Sequence, residues 1–198
     1  MTDRWLKGDG DAVLRTLVGE HRRIEALLDT LERMGEAIER GEDLPRPHLC
    51  ELTALLKAYA DAHHHRKEEE ILFRAMVAAG LSDEEGPVAF MLEQHDEGRD
   101  LVSRLGDLAE GPPWSAGERA QVARLARDFA ILLRAHIRDE DDVVYPLAVA
   151  RLRPAAWADV TRACAQADAE ATEVVTNLTR RADALVQLYA TATRPAIA

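Results

Sequence analysis

The chain has 198 residues, of which 47% are hydrophobic and 31% charged, a mix that suits a mostly helical domain able to bury a core without disulfide staples. The net charge of -11, with no concentrated basic patch, argues against nucleic acid as a partner; the short runs Arg22-Arg23 and Arg180-Arg181 alternate with acids and read as solvated helix faces. Cys50 and Cys164 form no metal-binding or disulfide pattern and read as buried small residues. Met1 to Gly10 lacks the apolar core of a signal peptide, and no run approaches the roughly 18 apolar residues of a membrane span, so the expected location is the cytoplasm with no membrane partner.

In chain order, Gly8-Asp9-Gly10-Asp11 opens a first helix, with an Asp available as N-cap. Leu14, Leu17, Val18, Ile24, Leu28, Leu31 and Ile38 then recur at helical spacing until Gly41 to Pro47 breaks the pattern. A second helix is predicted from about Pro47 to Ala79, stopped by Gly80. Beyond the loop Ser82 to Gly86, Pro87 suits the first turn of a third helix, which runs to about Ala109 and ends at Gly111-Pro112-Pro113. Ser115 and Glu118 have capping-box spacing, so a fourth helix begins near Ala116 and continues to about Ala150, with Pro146 kinking or ending it. Pro154 opens a further helical segment reaching about Ala192. No alternating β-branched run suggests a strand. The expected fold is all-α: an up-down-up-down four-helix bundle over residues 1–150, with a C-terminal helical extension over 151–198 that covers the bundle or forms a homodimer contact.

The histidines are placed non-randomly. An offset of 72 positions carries His64 onto His136, Glu68 onto Glu140 and Ile71-Leu72-Phe73 onto Val143-Val144-Tyr145. An offset of 74 carries His21 onto His95, and Leu27, Leu28 and Leu31 onto Leu101, Val102 and Leu105. The chain therefore reads as two copies of one αα-hairpin, each with a lone His on its first helix and a His-x-x-x-Glu on its second. Residues four apart share a helix face, so each His and Glu can reach one metal ion while a carboxylate bridges to another. Imidazole and carboxylate without thiolate suit iron or manganese, and also zinc. His21 falls on the Leu14-Leu17-Val18-Ile24-Leu28 stripe. His136 and Glu140 fall on the Val122-Leu125-Phe129-Leu132-Val143 stripe, and His95 follows Val88 and Leu92 at helical spacing. One His on an apolar face is more often a hydrogen-bonded core residue than a ligand. Four in register, two with a Glu one turn on, need a better explanation, because unpartnered buried carboxylates are costly.

The segments Glu20-His21-Arg22-Arg23-Ile24, His64-His65-Arg66-Lys67-Glu68-Glu69-Glu70-Ile71-Leu72-Phe73, Glu93-Gln94-His95-Asp96-Glu97-Gly98-Arg99 and His136-Ile137-Arg138-Asp139-Glu140-Asp141 together resemble the bacterial hemerythrin-like, HHE cation-binding, domain family. The resemblance covers roughly Asp11 to Ala150. It implies an oxo- or hydroxo-bridged di-iron site drawing on His21, His64, Glu68, His95, His136 and Glu140, with Glu68 and Glu140 as bridging carboxylates.

The pattern departs from the oxygen-carrying hemerythrins, which have His-x-x-x-His on the third helix. Here the second position is Arg99, which stays protonated and is a poor ligand. His65 and Glu25 are candidates to replace the missing His, and His63 and Tyr59 lie a little further round the second helix. Alternatively Arg99 pairs with Glu25 and the site stays open. On the fourth helix Asp141, five residues after His136, competes with Glu140; the internal repeat favours Glu140, and His65 with Glu69 is the matching alternative on the second helix. His48 has no partner at helical spacing and reads as exposed.

The resemblance implies a protein that binds or reacts with oxygen, peroxide or nitric oxide, in sensing, storage or detoxification, and Arg99 makes simple reversible oxygen carriage less expected. The alternative is an iron- or oxygen-responsive regulatory interaction module read by a partner through the C-terminal helix. A metal-free structural bundle would require the repeat to be accidental. Iron–sulfur cluster repair belongs to relatives with an N-terminal Cys-containing domain; none is read in this sequence, so that role ranks low.

Overall fold

A computed structural model describes residues 10–190, which form five helices and, among the described residues, no strand. Helix α1 spans Asp11–Glu39. Helix α2 runs over 46–78, with two stretches wound as π-helix, Leu56–His65 and Glu68–Phe73. Helix α3 spans Gly86–Glu110. Helix α4 runs over 116–151, with a π stretch at Glu140–Val144, and α5 spans Pro154–Ala190.

The buried apolar residues fall into two clusters. One takes Val13, Leu14 and Leu17 from the start of α1, Leu72, Phe73 and Met76 from the end of α2, Val88 and Met91 from the start of α3, and Val144, Tyr145 and Ala148 from the end of α4. The other takes Ile24 to Ile38, Leu49 to Ala60, Leu101 to Ala109 and Val122 to Ile137 from the opposite ends. Starts pack with ends in alternation, which is the up-down-up-down order. Helix α5 lies along α1 and α2, giving Trp157, Val160 and Cys164 to the first cluster and Leu178, Ala182 and Leu185 to the second. The two clusters leave a slab between them, filled by buried polar side chains.

Local chemistry explains the boundaries. Gly41 and Gly80 adopt the left-handed backbone (φ 77° and 98°) that only glycine takes without strain. Each closes a Schellman motif: Glu42 N–H donates to Ala37 C=O at 2.9 Å after α1, and Leu81 N–H to Met76 C=O at 3.2 Å after α2. The Ser115–Glu118 capping box is formed at the start of α4. The carbonyls at the end of α3 are bonded by the Arg46 guanidinium, which reaches Ala109 at 2.7 Å and stacks on Trp114. No Asp caps α1. Its N-cap is Gly10, because the backbone there lies against the face of Trp157 and a Cβ would come within 2.7 Å of the ring.

Helix α4 reaches Arg151, within a residue of the expected end, and Pro146 does not end it: the π turn just before it already opens the backbone ladder, so the missing N–H and the ring are accommodated. Three further expectations are corrected. The same widened turn rotates the buried face by one residue, leaving Val143 half exposed and burying Val144. His48 is half-buried, its Nδ1 2.8 Å from the Tyr189 hydroxyl on α5. The basic pairs are not merely solvated either, since Arg23 reaches Asp183 at 2.5 Å and Arg181 grips Glu51 with two 2.7 Å bonds, tying α5 to the bundle. Cys164 is buried and Cys50 half-buried, both as free thiols. No helix among the described residues is long and apolar enough to cross a membrane.

Candidate metal centre

The polar slab holds two groups of side chains whose donor atoms lie close enough to hold an ion. One is His21, His64, Glu68 and Glu140; the other is His65, Glu68, His95 and His136. All are buried. Glu68 belongs to both, and Glu140 spans them, with Oε2 3.1 Å from His21 Nε2 and Oε1 3.2 Å from His136 Nε2. The six residues singled out in sequence therefore converge, and His65 joins them, its ring stacked on His95 at 3.9 Å. Glu25 is in neither group and pairs with Arg22 at 2.6 Å. Tyr59 is buried in the second apolar cluster beside Leu56 and Ala60, and His63 turns to Glu20 at 3.1 Å. Asp141 holds a histidine from outside.

Four of the five histidines are aimed by their second nitrogen; the fifth, His65, has its Nδ1 3.8 Å from Asp61 with no hydrogen-bond partner. Carboxylates and amide oxygens only accept, so the Nδ1 atoms donate: His21 to Asp141 at 3.0 Å, His64 to Glu20 at 2.8 Å, His95 to Glu69 at 2.7 Å and His136 to Gln94 at 3.0 Å. That fixes the tautomer and turns Nε2 inward, the arrangement that orients metal-binding imidazoles. This outer ring obeys the repeat. Glu20 and Gln94, each just before the lone His, hold the His of the following helix. Glu69 and Asp141, each just after the shared Glu, hold the lone His of the other hairpin.

The symmetry breaks at named positions. His65 has Ile137 as its mate, and Phe73, stacked on His95, has Tyr145, stacked on His21. The Tyr145 hydroxyl donates to Glu68 Oε1 at 2.5 Å. Arg99 does not meet Glu25. It bonds Asp61 at 2.8 Å and also Glu69, the carboxylate that holds His95; Asp61 in turn lies 3.8 Å from His65 Nδ1.

Titration of the slab follows from crowding. Burial alone would lower His21, but Asp141 and Glu140 overcome it and raise its pKa to about 9. Burial, with the neighbouring His21 charge, pushes His64 down to about 3 despite Glu20. His65 and His95 are likewise lowered, chiefly by burial. Burial and the charge on Glu140 push Glu68 well above the carboxylate range, whereas His136 and His21 overcome burial to hold Glu140 ionised.

The pocket fits a cation on grounds of its own. His64 Nε2, Glu68 Oε2 and both Glu140 carboxylate oxygens are fully buried without a hydrogen-bond partner. The Nε2 atoms of His95 and His136 face each other at 3.0 Å with both Nδ1 donors already committed, a repulsion that a shared proton or a metal ion relieves. Nitrogen and carboxylate oxygen donors without sulfur match iron, manganese or zinc.

A four-helix bundle whose facing helices project histidines and shared carboxylates into one buried slab defines a metal-binding bundle of the carboxylate type. The chain belongs to the hemerythrin HHE cation-binding domain family, whose model matches residues 12–148. It is also similar to the iron-sulfur cluster repair protein YtfE of Yersinia pestis (strain Pestoides F), with 31% identity over 137 residues, covering 65% of this chain and 61% of that protein. The match is the same with YtfE from the Angola and Antiqua strains of Y. pestis bv. Antiqua. The chain thus spans about three fifths of the length of these relatives. No solved structure matches it.

Sequence reasoning missed the outer ring. The signal was present, since the two offsets that align the ligating candidates also align Glu20 with Gln94 and Glu69 with Asp141.

Proposed function

We propose that the protein holds two iron ions, one at His21 and His64 and the other at His65, His95 and His136, with Glu68 and Glu140 shared between them, and that the pair binds or reacts with oxygen, peroxide or nitric oxide. The observation that carries this reading is the sharing itself: two buried carboxylates, with unsatisfied oxygens, lie between two histidine clusters. When bound, a pair of irons supplies redox chemistry and open coordination positions for small ligands. The chain's own residues do the rest. Asp141, Glu20, Glu69 and Gln94 keep four of the five imidazoles turned inward. The apolar clusters above and below keep bulk water from the slab, and Tyr145 holds the orientation of Glu68 through its hydroxyl proton.

The test is the optical spectrum of chain loaded anaerobically with ferrous iron, before and after exposure to oxygen, peroxide or nitric oxide. An iron-dependent change absent from Glu68→Ala supports the reading. No iron-dependent absorption in the native chain would end it. A second reading, iron–sulfur cluster repair, is favoured by the name of the Y. pestis relatives. It predicts that the iron-loaded chain restores a damaged cluster in a client enzyme, and a loaded chain that leaves the client inactive would count against it.

A further inference from the structure

Helix α5 lies beyond the residues matched to the family, yet it reaches the outer ring of the centre. Lys67 is 3% exposed, and its ammonium bonds Glu20 Oε1 at 2.5 Å and Asp168 Oδ1 of α5 at 2.8 Å. Glu20 is the carboxylate whose other oxygen holds His64 Nδ1. A continuous chain of charge-assisted bonds therefore runs from α5 through Lys67 and Glu20 to His64. Glu20, His63 and Asp168 also have the spacing of a third cation site, but the Lys67 ammonium already bonds two of them, so a cation is built in.

The other half of the bundle lacks this chain. There the mate of Glu20 is the neutral Gln94, which bonds His136 alone, and the mate of Lys67 is Asp139. The internal repeat thus makes its own control. A buried carboxylate gripping His64 must be balanced, Lys67 balances it, and a buried ammonium in turn needs a second anion. Asp168 is that anion.

We propose that Asp168 is a positioning residue for His64, acting through Lys67 and Glu20, and that α5 thereby makes the two halves of the metal centre unequal. The idea rests on the proposed metal centre for its consequence but not for its geometry. Without Asp168, the Lys67 ammonium draws wholly onto Glu20, and the Glu20 bond to His64 Nδ1 loosens. Partners of metal-binding histidines are worth about 10–100-fold in metal affinity. Asp168 stands two bonds further out, so the loss expected is at the lower end, about tenfold. A cavity of about 110 Å³ already lies against Lys67, Cys164 and Asp168, so truncation there enlarges an existing space rather than collapsing the core.

The experiment compares Asp168→Ala with Arg181→Ala, which cuts the Glu51 tie of the same helix far from the slab. The first readout is the hydrogen-bonded Nδ1–H resonance of His64 in the metal-free chain. The second is ferrous iron affinity measured anaerobically by titration. The proposal expects the His64 resonance to move and one of the two irons, the one His64 would hold, to bind about tenfold more weakly in Asp168→Ala only. An unmoved resonance in Asp168→Ala, or an equal change in Arg181→Ala, overturns it. If native chain takes up no iron, the metal reading falls while the resonance still decides the role of Asp168.

Discussion

Replacing Glu68 with Gln separates what the residue does for the metal from what it does for the fold. In metal-free protein burial and the charge on Glu140 push the Glu68 carboxyl toward its neutral form. The substitution therefore exchanges a neutral acid for a neutral amide of nearly the same shape. The amide oxygen still accepts from Tyr145, so the stability of metal-free chain should change by less than about 1 kcal/mol. Metal-loaded chain is different, because Glu68 is the one carboxylate common to both donor groups. A ligand at a hundredfold its Kd stabilises the folded state by about 2.7 kcal/mol. In a chain of this length each kcal/mol moves Tm by about 2–4 °C, so loading should raise the native Tm by about 5–10 °C per ion. Thermal unfolding followed by circular dichroism, with and without ferrous iron under anaerobic conditions, measures both. The expected result is equal Tm for the two metal-free chains and little or no rise on loading Glu68→Gln. A variant that keeps two irons and the full rise would refute the reasoning.

Other substitutions test the surrounding ring. Arg99→Leu frees Glu69 and Asp61 together and should weaken iron binding by about tenfold in an anaerobic titration, whereas a purely exposed Arg would leave it unchanged. Gly10→Val drives a side chain into the Trp157 ring and should cost about 1–3 kcal/mol by denaturant unfolding, with metal stoichiometry unaffected. Metal uptake should release protons, because His21 with a pKa of about 9 and the protonated Glu68 must both give them up; affinity should rise with pH from about 6.5 towards 9, read by calorimetry in buffers of different ionisation heat. The same His21 works in the opposite sense in metal-free chain. Its contribution to stability is fully present below its unfolded value near 6.5 and is lost as pH rises through about 9, which a pH series of urea midpoints would show.

Much of this was legible in the sequence, and the reason is periodicity. Helix ends follow Gly41, Gly80 and the Ser115–Glu118 box because those residues have few alternative uses. The converging histidines and glutamates were visible because each hairpin repeats the other. What stayed hidden depends on the departures from regular α-helix and on long-range partners. Nothing in the composition of Glu68–Phe73 or Glu140–Val144 announces a π turn, yet that turn decides that Val144 is buried and Val143 is not. His65 sits one position from His64, and an ideal helix would carry the two about 100° apart; in the π stretch Leu56–His65 both reach the slab, one to each donor group. Arg99 looked like a lost ligand; besides Asp96 on its own helix it bonds Asp61 and Glu69 on another, and no local pattern names those two. Likewise Asp168 is an ordinary polar residue of an Ala-rich helix until α5 is laid against α2.

The central claim is that Glu68 and Glu140 join two metal ions in one buried site. Its most direct test is Mössbauer spectroscopy of the chain loaded with ⁵⁷Fe and oxidised, together with an iron count. The account predicts two irons per chain, magnetically coupled into a single unit, and loss of that coupling in Glu68→Gln. One iron per chain, or two that remain uncoupled in the native protein, would contradict it.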